Sequence, residues 1–358
     1  MSEEIALLKN AADVLTDWYR ENERPLPWRD SPTPYHVWLS EIMLQQTRIE
    51  AVIPYYERFL GELPDIAALA AVEDERLMKL WEGLGYYSRA RNLKRAAITV
   101  MAEYGGELPR TAQELRRLSG IGPYTAGAIA SIAFGEPEPA VDGNVLRVVS
   151  RLLADPSDIM LPGTRERVTG QLRETYPAGE RDTCRHLTQA WMELGERVCI
   201  PNGTPKCENC PLAALCRAHI AGAEEEYPTR SAKKPRRIEK KTVLLLFCND
   251  RFAVRRRPGS GLLAGLWEFP SLDGETGETQ VRKYLQTLGI EAGMISPTAP
   301  AKHIFTHIEW HMIGYTVDCM GRGDTEDLTW VTAKQWRENY AAPTAYRVFT
   351  DLVLRRGE

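Results

Sequence analysis

Apolar residues recur with a helical period over most of the first 221 residues of the chain. Leu7, Leu8, Ala11, Leu15 and Trp18 fall on one face of a helix with about 3.6 residues per turn. The same spacing predicts further helices, separated by Gly and Pro, over residues 36–46, 50–60, 73–80, 86–104, 123–134, 142–153 and 180–198. The pattern therefore predicts an almost wholly helical region from residue 1 to about residue 221.

The pattern changes in the last third of the chain. The continuous apolar run Thr242–Cys248 is followed by Asn249–Asp250 and then by Phe252–Arg256, which is the pattern of a β-hairpin. His311–Cys319 is a further predicted strand. Residues 242–358 are therefore expected to form a second domain of the α+β class.

Residues 222–241 connect these regions and contain few apolar side chains. Three glutamates, Glu224–Glu226, come first, and basic residues dominate from Arg230 to Lys241. This composition is typical of a solvated linker. Alternatively, its basic half could contact the phosphates of a bound nucleic acid.

Composition limits the classes of function. No apolar run reaches the length of about 18 residues that suggests a membrane span. The acidic start MSEEIALLKN lacks the basic and then apolar layout of a secretory signal, so we expect a cytoplasmic protein without a membrane partner. Residues 1–221 hold 25 Lys and Arg against 31 Asp and Glu, and any binding to DNA must therefore use local geometry and local charge.

Four of the seven cysteines lie within 18 residues, with the spacing Cys199-x7-Cys207-x2-Cys210-x5-Cys216. Thiolates this close together can surround one metal centre. Structural zinc usually takes two short pairs, and only Cys207 and Cys210 form one here. Spacing alone leaves both zinc and an iron–sulfur cluster open.

Leu118–Ala126, with the sequence LSGIGPYTA, joins two predicted helices. Gly120 and Gly122 permit a tight turn with an exposed main chain, and Pro123 suits the first turn of the next helix. The N–H groups at such a helix start can bind a phosphate. The stretch resembles the helix–hairpin–helix of the endonuclease III superfamily of DNA glycosylases. Asp142 could simply cap a helix, but its distance from the hairpin matches the catalytic aspartate of that superfamily.

The superfamily resemblance implies a cofactor. Its members carry a [4Fe–4S] cluster on four cysteines, with six residues in the first gap. Here that gap holds seven residues, Ile200–Lys206. The ligands implied by the resemblance are Cys199, Cys207, Cys210 and Cys216.

Leu26–Arg29, Leu39–Arg48 and Trp81–Arg89 resemble the MutY-type adenine DNA glycosylases within this superfamily. Relatives that also cut the strand have a lysine where this chain has Tyr124, so base removal without strand cleavage is implied. Glu41 could be a surface carboxylate, but it lies in a mostly apolar helix, and burial there would let it hold a proton near neutral pH.

The resemblance assigns roles to individual residues. Those implied at the reacting bond are Glu41, Asp142, Tyr124 and Asn144. Those implied at the DNA or the lesion are Arg29, Leu44, Gln46, Thr47, Tyr86, Gly120, Gly122 and Gln189. A basic stretch could contact phosphate or form a solvated helix face, and it contains Arg89, Arg91, Lys94 and Arg95.

Residues Gly265–Pro270 resemble the Nudix fold of 8-oxo-dGTP hydrolases. Within Arg282–Gly289, Lys283, Gln286 and Thr287 replace the acidic metal ligands of those hydrolases, so no carboxylate cage for a cation is expected. A recognition role for the domain is expected instead, with contacts to the oxidised base from Phe305, Thr306 and His307.

The sequence as a whole predicts an all-α helix–hairpin–helix glycosylase region over 1–221 with an iron–sulfur loop at 199–216, a linker over 222–241 and a Nudix-like α+β domain over 242–358. The expected reaction is hydrolysis of the N-glycosidic bond of adenine opposite 8-oxoguanine or guanine. The partner is duplex DNA, the product is an abasic site, and the protein is expected to be a nucleoid-associated monomer. Alternatives are a thymine glycosylase, a nucleotide pyrophosphatase and a non-catalytic zinc protein that binds DNA.

Overall fold

The structure is a computed structural model that describes residues 2–232, 235–323 and 325–356. The chain divides into two compact units. Met1–Ala71 and Arg91–Ala232 form the first unit. Val72–Ala90 and Lys233–Glu358 form the second unit, so the chain enters it twice.

Helices account for the regular structure described before the linker. In chain order they are α1 (Glu3–Asn22), α2 (Pro27–Asp30), α3 (Pro34–Leu44), α4 (Ile49–Glu62), α5 (Ile66–Ala71), α6 (Asp74–Leu80), α7 (Ser88–Glu103), α8 (Ala112–Leu115), α9 (Pro123–Ala128), α10 (Gly143–Leu153), α11 (Pro162–Arg173), α12 (Arg181–Arg197) and α13 (Arg217–Ile220). A wider π-helical turn, Ile129–Ala133, continues α9. None of the helices described has the length and apolar content needed to cross a membrane.

The core of the first unit lies where α1, α10 and α12 meet. Leu15, Leu146 and Trp191, one from each of these helices, are almost fully buried in one apolar cluster. α3 is also enclosed, because every side chain from Val37 to Met43 is buried. α3 is buried on all sides because its sequence is mostly apolar. Glu41 belongs to this buried stretch, so its carboxyl group is removed from water.

The second unit is built on a mixed sheet. Its strands are β1 (Arg237–Cys248), β2 (Arg251–Arg256), β3 (Trp267–Glu268), β4 (Ser271–Asp273), β5 (Ala292–Pro297), β6 (Ala301–Ile304), β7 (Ile308–Cys319) and β8 (Thr329–Thr332). The order β3-β2-β1-β7-β5 forms the main path, while β4 pairs with β1, β6 with β7 and β8 with β2. β1 and β7 run parallel, and the other pairs are antiparallel.

Three further helices cover this sheet: α14 (Glu278–Thr287), α15 (Ala333–Asn339) and α16 (Arg347–Arg356). Alternate residues of β1 enter two different apolar clusters, since successive side chains of a strand point to opposite faces. Leu245 packs with Phe349 of α16, and Leu246 packs with Leu285 of α14. The sheet is therefore buried on both faces, which explains why residues 242–248 lack alternation.

The predicted helical region and α+β region are both confirmed, and the structure differs in two details. The expected linker 222–241 is shorter, because β1 begins at Arg237, where it pairs with Ile308 of β7. Residues 72–90 were expected within the helical region, yet they group with the second unit. They do so because their side chains bind the main chain near Tyr340.

Candidate active site

Glu41 lies near the end of α3 with only 7% of its surface exposed. The Tyr124 hydroxyl, from the second residue of α9, donates a hydrogen bond of 2.9 Å to Glu41 Oε2. Burial raises the pKa of Glu41 to about 7, and nearby Asp142 adds to this rise, while the Tyr124 hydrogen bond and Arg29 oppose it. The carboxyl group therefore exchanges its proton near neutral pH.

Asp142 caps the start of α10, where its Oδ1 accepts a hydrogen bond of 2.8 Å from the Val145 N–H. The side-chain amide of Asn144 donates to Asp142 Oδ2 over 2.9 Å. Burial raises the pKa of Asp142, whereas these hydrogen bonds and Arg147 stabilise its charged form. Asp142 can therefore both cap α10 and act in the cavity. Its Oδ1 accepts the capping hydrogen bond, and this contact fixes the carboxylate in the lining of the cavity.

One cavity of about 510 Å³ brings most of the predicted residues together, a size common for ligand pockets. The predicted residues that line it are Arg29, Glu41, Leu44, Gln46, Thr47, Tyr124, Asp142, Asn144 and Gln189. They come from α2, α3, the loop after α3, α9, α10 and α12. The carboxyl groups of Glu41 and Asp142, which have different surroundings, thus line the same cavity.

An ion-pair network that the sequence did not indicate also lines this cavity. The carboxylate of Glu193, a residue only 2% exposed, accepts hydrogen bonds from Arg24 and, over 3.0 Å, from Arg29 Nη2. Arg29 Nε also donates to the side-chain oxygen of Gln189 over 3.0 Å. The amide nitrogen of Gln189 donates one hydrogen to the Arg185 main-chain oxygen over 3.4 Å, and its second hydrogen can be donated to a bound molecule.

Asp142 is also connected to the cysteine loop through two side chains. Asn144, which binds Asp142, accepts a hydrogen bond of 2.9 Å from Arg147 Nη2. Arg147 in turn donates to the main-chain oxygen atoms of Gly195, over 2.6 Å, and Cys199, over 2.7 Å. Close packing shapes this connection, because a Cβ at Gly195 would lie 2.7 Å from the Cβ of Asn144.

The four clustered cysteines line a second, largely apolar cavity together with Val148, Leu152, Leu194 and Leu212. Four sulfurs around one zinc would lie about 3.8 Å apart, given zinc–sulfur bonds of about 2.3 Å. Among the described side chains, potential ligand atoms that all lie within 4.8 Å of one another occur at Cys207, His219 and Glu224, and the four thiols are more widely spread. The four thiols are therefore not placed as the ligands of one zinc ion in this structure.

The two glycines of the hairpin have different local roles. Gly120 has a φ of +77°, and a Cβ there would lie 2.6 Å from the Cβ of Asn92, so both backbone and space require glycine. Gly122 has an ordinary φ of −87° and open space around it, and it precedes Pro123 at the start of α9. The backbone conformation of the turn therefore requires glycine at position 120 only, while the missing side chain at Gly122 leaves its main chain accessible.

The remaining predicted residues lie in the second unit. Tyr86, with 47% of its surface exposed, shares a hydrogen bond of 3.1 Å between its hydroxyl and Thr306 Oγ1. Phe305 packs edge-on against Trp310, with 4.9 Å between ring centroids. His307 follows in the same turn between β6 and β7. These residues form a separate group from those that line the cavity of the first unit.

Two other features of the second unit have structural explanations. Arg255 and Arg257 both donate to the carboxylate of Glu268, which is 2% exposed and also accepts from Tyr346 over 2.7 Å. Arg89 is buried and donates to the main-chain oxygens of Leu84 and Gly85. Arg89 therefore does not belong to a solvated helix face, because it is buried and its guanidinium binds the main chain of its own loop.

The comparisons with known proteins agree with this geometry. Residues 39–174 match the family model of the HhH-GPD superfamily of base excision DNA repair proteins, and residues 242–352 match that of the NUDIX domain. The chain is 34% identical to the adenine DNA glycosylase of Rattus norvegicus, over 95% of this chain and 78% of the relative. It is also 34% identical to that of Homo sapiens, over 96% and 75%.

The chain belongs to the adenine DNA glycosylase family. It is similar in fold to a thermostable thymine-DNA glycosylase, with a TM-score of 0.54 and 26% identity over 60% of this chain and 98% of the other. A trapped endonuclease III–DNA covalent intermediate gives a TM-score of 0.51, with 26% identity over 62% and 99%. The predicted helix–hairpin–helix region and Nudix-like domain are confirmed, and this family member is a base-excision repair glycosylase that acts on DNA.

The buried Glu41 has a consequence for stability. The pKa of Glu41 in the folded protein lies above its usual value of 4.5. The stability that protonated Glu41 contributes is therefore fully present below pH 4.5 and is lost as the pH rises through about 7. Glu41→Gln should therefore raise the free energy of unfolding by about 3 kcal/mol at pH 8 and by less at pH 6. Urea denaturation at both pH values measures this, with the exposed Glu57→Gln as control. An equal effect of Glu41→Gln at the two pH values would contradict the raised pKa.

Gly195 provides a test of the packing between α10 and α12. Gly195→Ala should destabilise the protein by about 1–3 kcal/mol, because the new methyl group must displace Asn144. Gly170→Ala on α11 is the matched control, since a Cβ there meets nothing within 4 Å. That control should stabilise the protein by about 0.4–1 kcal/mol. Thermal unfolding of both variants measures the difference, and similar behaviour of the two would show that the close approach is unimportant.

Proposed function

We propose that this glycosylase hydrolyses the N-glycosidic bond of adenine paired with 8-oxoguanine or guanine and leaves the DNA strand intact. The observation that carries the proposal is the pairing of Glu41 and Asp142 in one cavity. Glu41 is buried and titrates near pH 7, while Asp142, whose pKa burial also raises, accepts hydrogen bonds that favour its charged form. Two acids with different surroundings are the usual arrangement for acid catalysis of glycosidic bond cleavage.

Glu41 supplies the proton. Adenine leaves poorly as an anion, and protonation at N7 makes it a neutral leaving group. A positioned general acid contributes about 10²–10⁴ in rate. The Tyr124 hydroxyl, 2.9 Å from Glu41 Oε2, orients the carboxyl group so that its other oxygen is available to the base.

Asp142 stabilises the sugar. As the bond between C1′ and N9 breaks, positive charge develops on the sugar ring, and a nearby carboxylate lowers the energy of that state. Asn144 and the Val145 N–H hold the carboxylate in place before the reaction begins. Water then adds to C1′, which yields the abasic site.

Tyr124 supports hydrolysis without strand cleavage. Strand cleavage through a Schiff base needs an amine at the sugar. The corresponding position of the hairpin carries a tyrosine, whose hydroxyl is engaged with Glu41. Water is then the nucleophile, and the DNA backbone stays closed.

Gln189 supports the choice of base. Its oxygen accepts from Arg29, so its amide nitrogen donates, and the ring nitrogens of adenine accept hydrogen bonds. Arg29 is itself fixed by Glu193. Extrusion of the adenine into the cavity costs a few kcal/mol, and less from a mispair than from a correct pair.

Tyr86, Phe305, Thr306 and His307 form the group we assign to the opposite base. Their ring and hydroxyl groups could stack on 8-oxoguanine and bind its altered edge. Within α14, the exposed Lys283, Gln286 and Thr287 offer no carboxylate cage for a cation, which favours recognition over pyrophosphate hydrolysis. The Gly120–Gly122 hairpin contacts the DNA backbone, and the chain acts as a monomer.

An excision assay tests this proposal. Duplexes with A·8-oxoG, A·G, T·G and A·T pairs should show base loss for the first two, with strand breaks only after alkali. Glu41→Gln should reduce single-turnover excision by at least about 10² because glutamine cannot donate the proton. Preferred excision from T·G would support a thymine glycosylase instead. Strand breaks without alkali, or a covalent adduct trapped by borohydride, would contradict the water mechanism.

The cofactor we propose is a [4Fe–4S] cluster bound by Cys199, Cys207, Cys210 and Cys216. The wide spacing of the thiols and the apolar lining of their cavity both fit such a cluster. Buried Arg151 donates to Cys199 Sγ over 3.3 Å, so a positive group already lies beside the thiols. The cluster would hold the loop 199–216, which Arg147 connects to Asn144 and Asp142.

Metal analysis tests the cofactor. Purified protein should contain about four iron atoms per chain and show the broad visible absorption of a [4Fe–4S] cluster. Cys210→Ser should lower the iron content, whereas Cys184→Ser, which changes a buried cysteine outside the loop, should not. Stoichiometric zinc without iron would overturn the proposal and favour a mononuclear site that includes Cys207, His219 and Glu224.

A further inference from the structure

Side chains from residues 79–87 bind the main chain of residues 340–342 within the second unit. Lys79 Nζ donates to the Tyr340 main-chain oxygen over 3.1 Å, and Glu82 Oε1 accepts from the Ala342 N–H over 2.6 Å. Lys79 and Glu82 also form an ion pair of 2.6 Å. We call this arrangement of Lys79 and Glu82 on residues 340–342 the clamp.

The segment on which the clamp acts is firmly held. The ring of Tyr340 stacks on Trp336 at 5.8 Å and packs edge-on against Trp267 at 4.8 Å. Trp336 is 2% exposed and belongs to the apolar core of the sheet. The main chain of residues 340–342 is therefore a fixed platform for the clamp.

The loop that follows the clamp presents Tyr86 in a restricted conformation. Tyr86 has a φ of +46°, a value that non-glycine residues seldom adopt. Trp81 Nε1 donates to the Gly85 oxygen over 3.1 Å, and Arg89 binds the oxygens of Leu84 and Gly85. The loop therefore moves as one piece with Glu82, and a shift at the clamp is transmitted to Tyr86.

Thr306, the residue whose hydroxyl contacts that of Tyr86, is held by contacts outside the clamp. Phe305 packs on the buried Trp310, and its main-chain oxygen accepts from Arg236 Nε over 3.0 Å. Thr306, the next residue, is therefore held by contacts that do not involve Lys79 or Glu82. The 3.1 Å contact between the Tyr86 and Thr306 hydroxyls forms where these two segments, each held by its own hydrogen bonds, meet.

We propose that Lys79 and Glu82 are positioning residues that set the preference for the base opposite adenine, because they hold Tyr86 against Thr306. This inference rests on the proposed assignment of Tyr86 and Thr306 to that base. The clamp has no part in the chemistry of Glu41, Tyr124 and Asp142. Its loss should therefore reduce discrimination between 8-oxoguanine and guanine and leave basal excision unchanged.

The experiment measures single-turnover excision of adenine opposite 8-oxoguanine and opposite guanine with the full chain. Glu82→Ala should lower the ratio of the two rates by about threefold to tenfold, the range expected for loss of one neutral hydrogen bond, here the one between Tyr86 and Thr306. Adenine opposite guanine should be excised at the parent rate. Glu82→Gln keeps an oxygen that can accept from the Ala342 N–H and should restore most of the ratio. Glu75→Ala is the matched control, since its carboxylate lies 3.9 Å from Arg256 and both side chains are more than half exposed.

Thr306→Val separates failure of the inference from failure of the assignment on which it rests. Thr306→Val should lower the same ratio. The double variant Glu82→Ala/Thr306→Val should lower it no further, because both changes remove the same contact between Tyr86 and Thr306. If Thr306→Val lowers the ratio and Glu82→Ala does not, the clamp proposal is overturned and the assignment of Thr306 stands. If neither changes the ratio, the assignment itself fails. Because both rates come from one preparation, partial unfolding of a variant cancels in the ratio, and an equal loss of both rates would show that Glu82 only supports the fold.

Discussion

The removal of Glu41 from water is the constraint on which the active site depends. α3 is buried on every side, and a carboxyl group in that position keeps its proton more readily than one at the surface. A hydrogen bond from Tyr124, at the start of α9, stabilises this buried carboxyl group. The hairpin that precedes α9 therefore has a second role beside any contact with DNA, since it delivers the hydroxyl that orients the acid.

The cavity that contains Glu41 must also hold the charged carboxylate of Asp142, and neighbouring hydrogen-bond donors stabilise that charge. Asp142 caps the start of α10 and accepts from the amide of Asn144, and these donors stabilise its charge together with nearby Arg147. Arg24 and Arg29 also line this cavity, where the carboxylate of Glu193 accepts hydrogen bonds from both.

Much of the fold and the site follows from sequence because the deciding features are local. The helical period predicted α3, α7, α10 and α12, and the hairpin motif located Tyr124 and Asp142. The importance of Glu193 and Gly195 could not be predicted, since each depends on a partner far along the chain, Arg29 and Asn144 respectively. The helix α11 was missed because its sequence is mostly polar and few of its side chains are buried.

The division of the chain into units changes how the two regions can be separated. The family match over residues 39–174 includes the segment 72–90, which belongs structurally to the second unit. Removal of everything after Ala221 would leave Lys79 and Glu82 without residues 340–342, and Tyr86 without Thr306. Such a fragment would lose more than a recognition loop, because part of its own helical region would lack its packing partner. Point changes at Glu82 or Thr306 therefore report on discrimination more directly than truncation does.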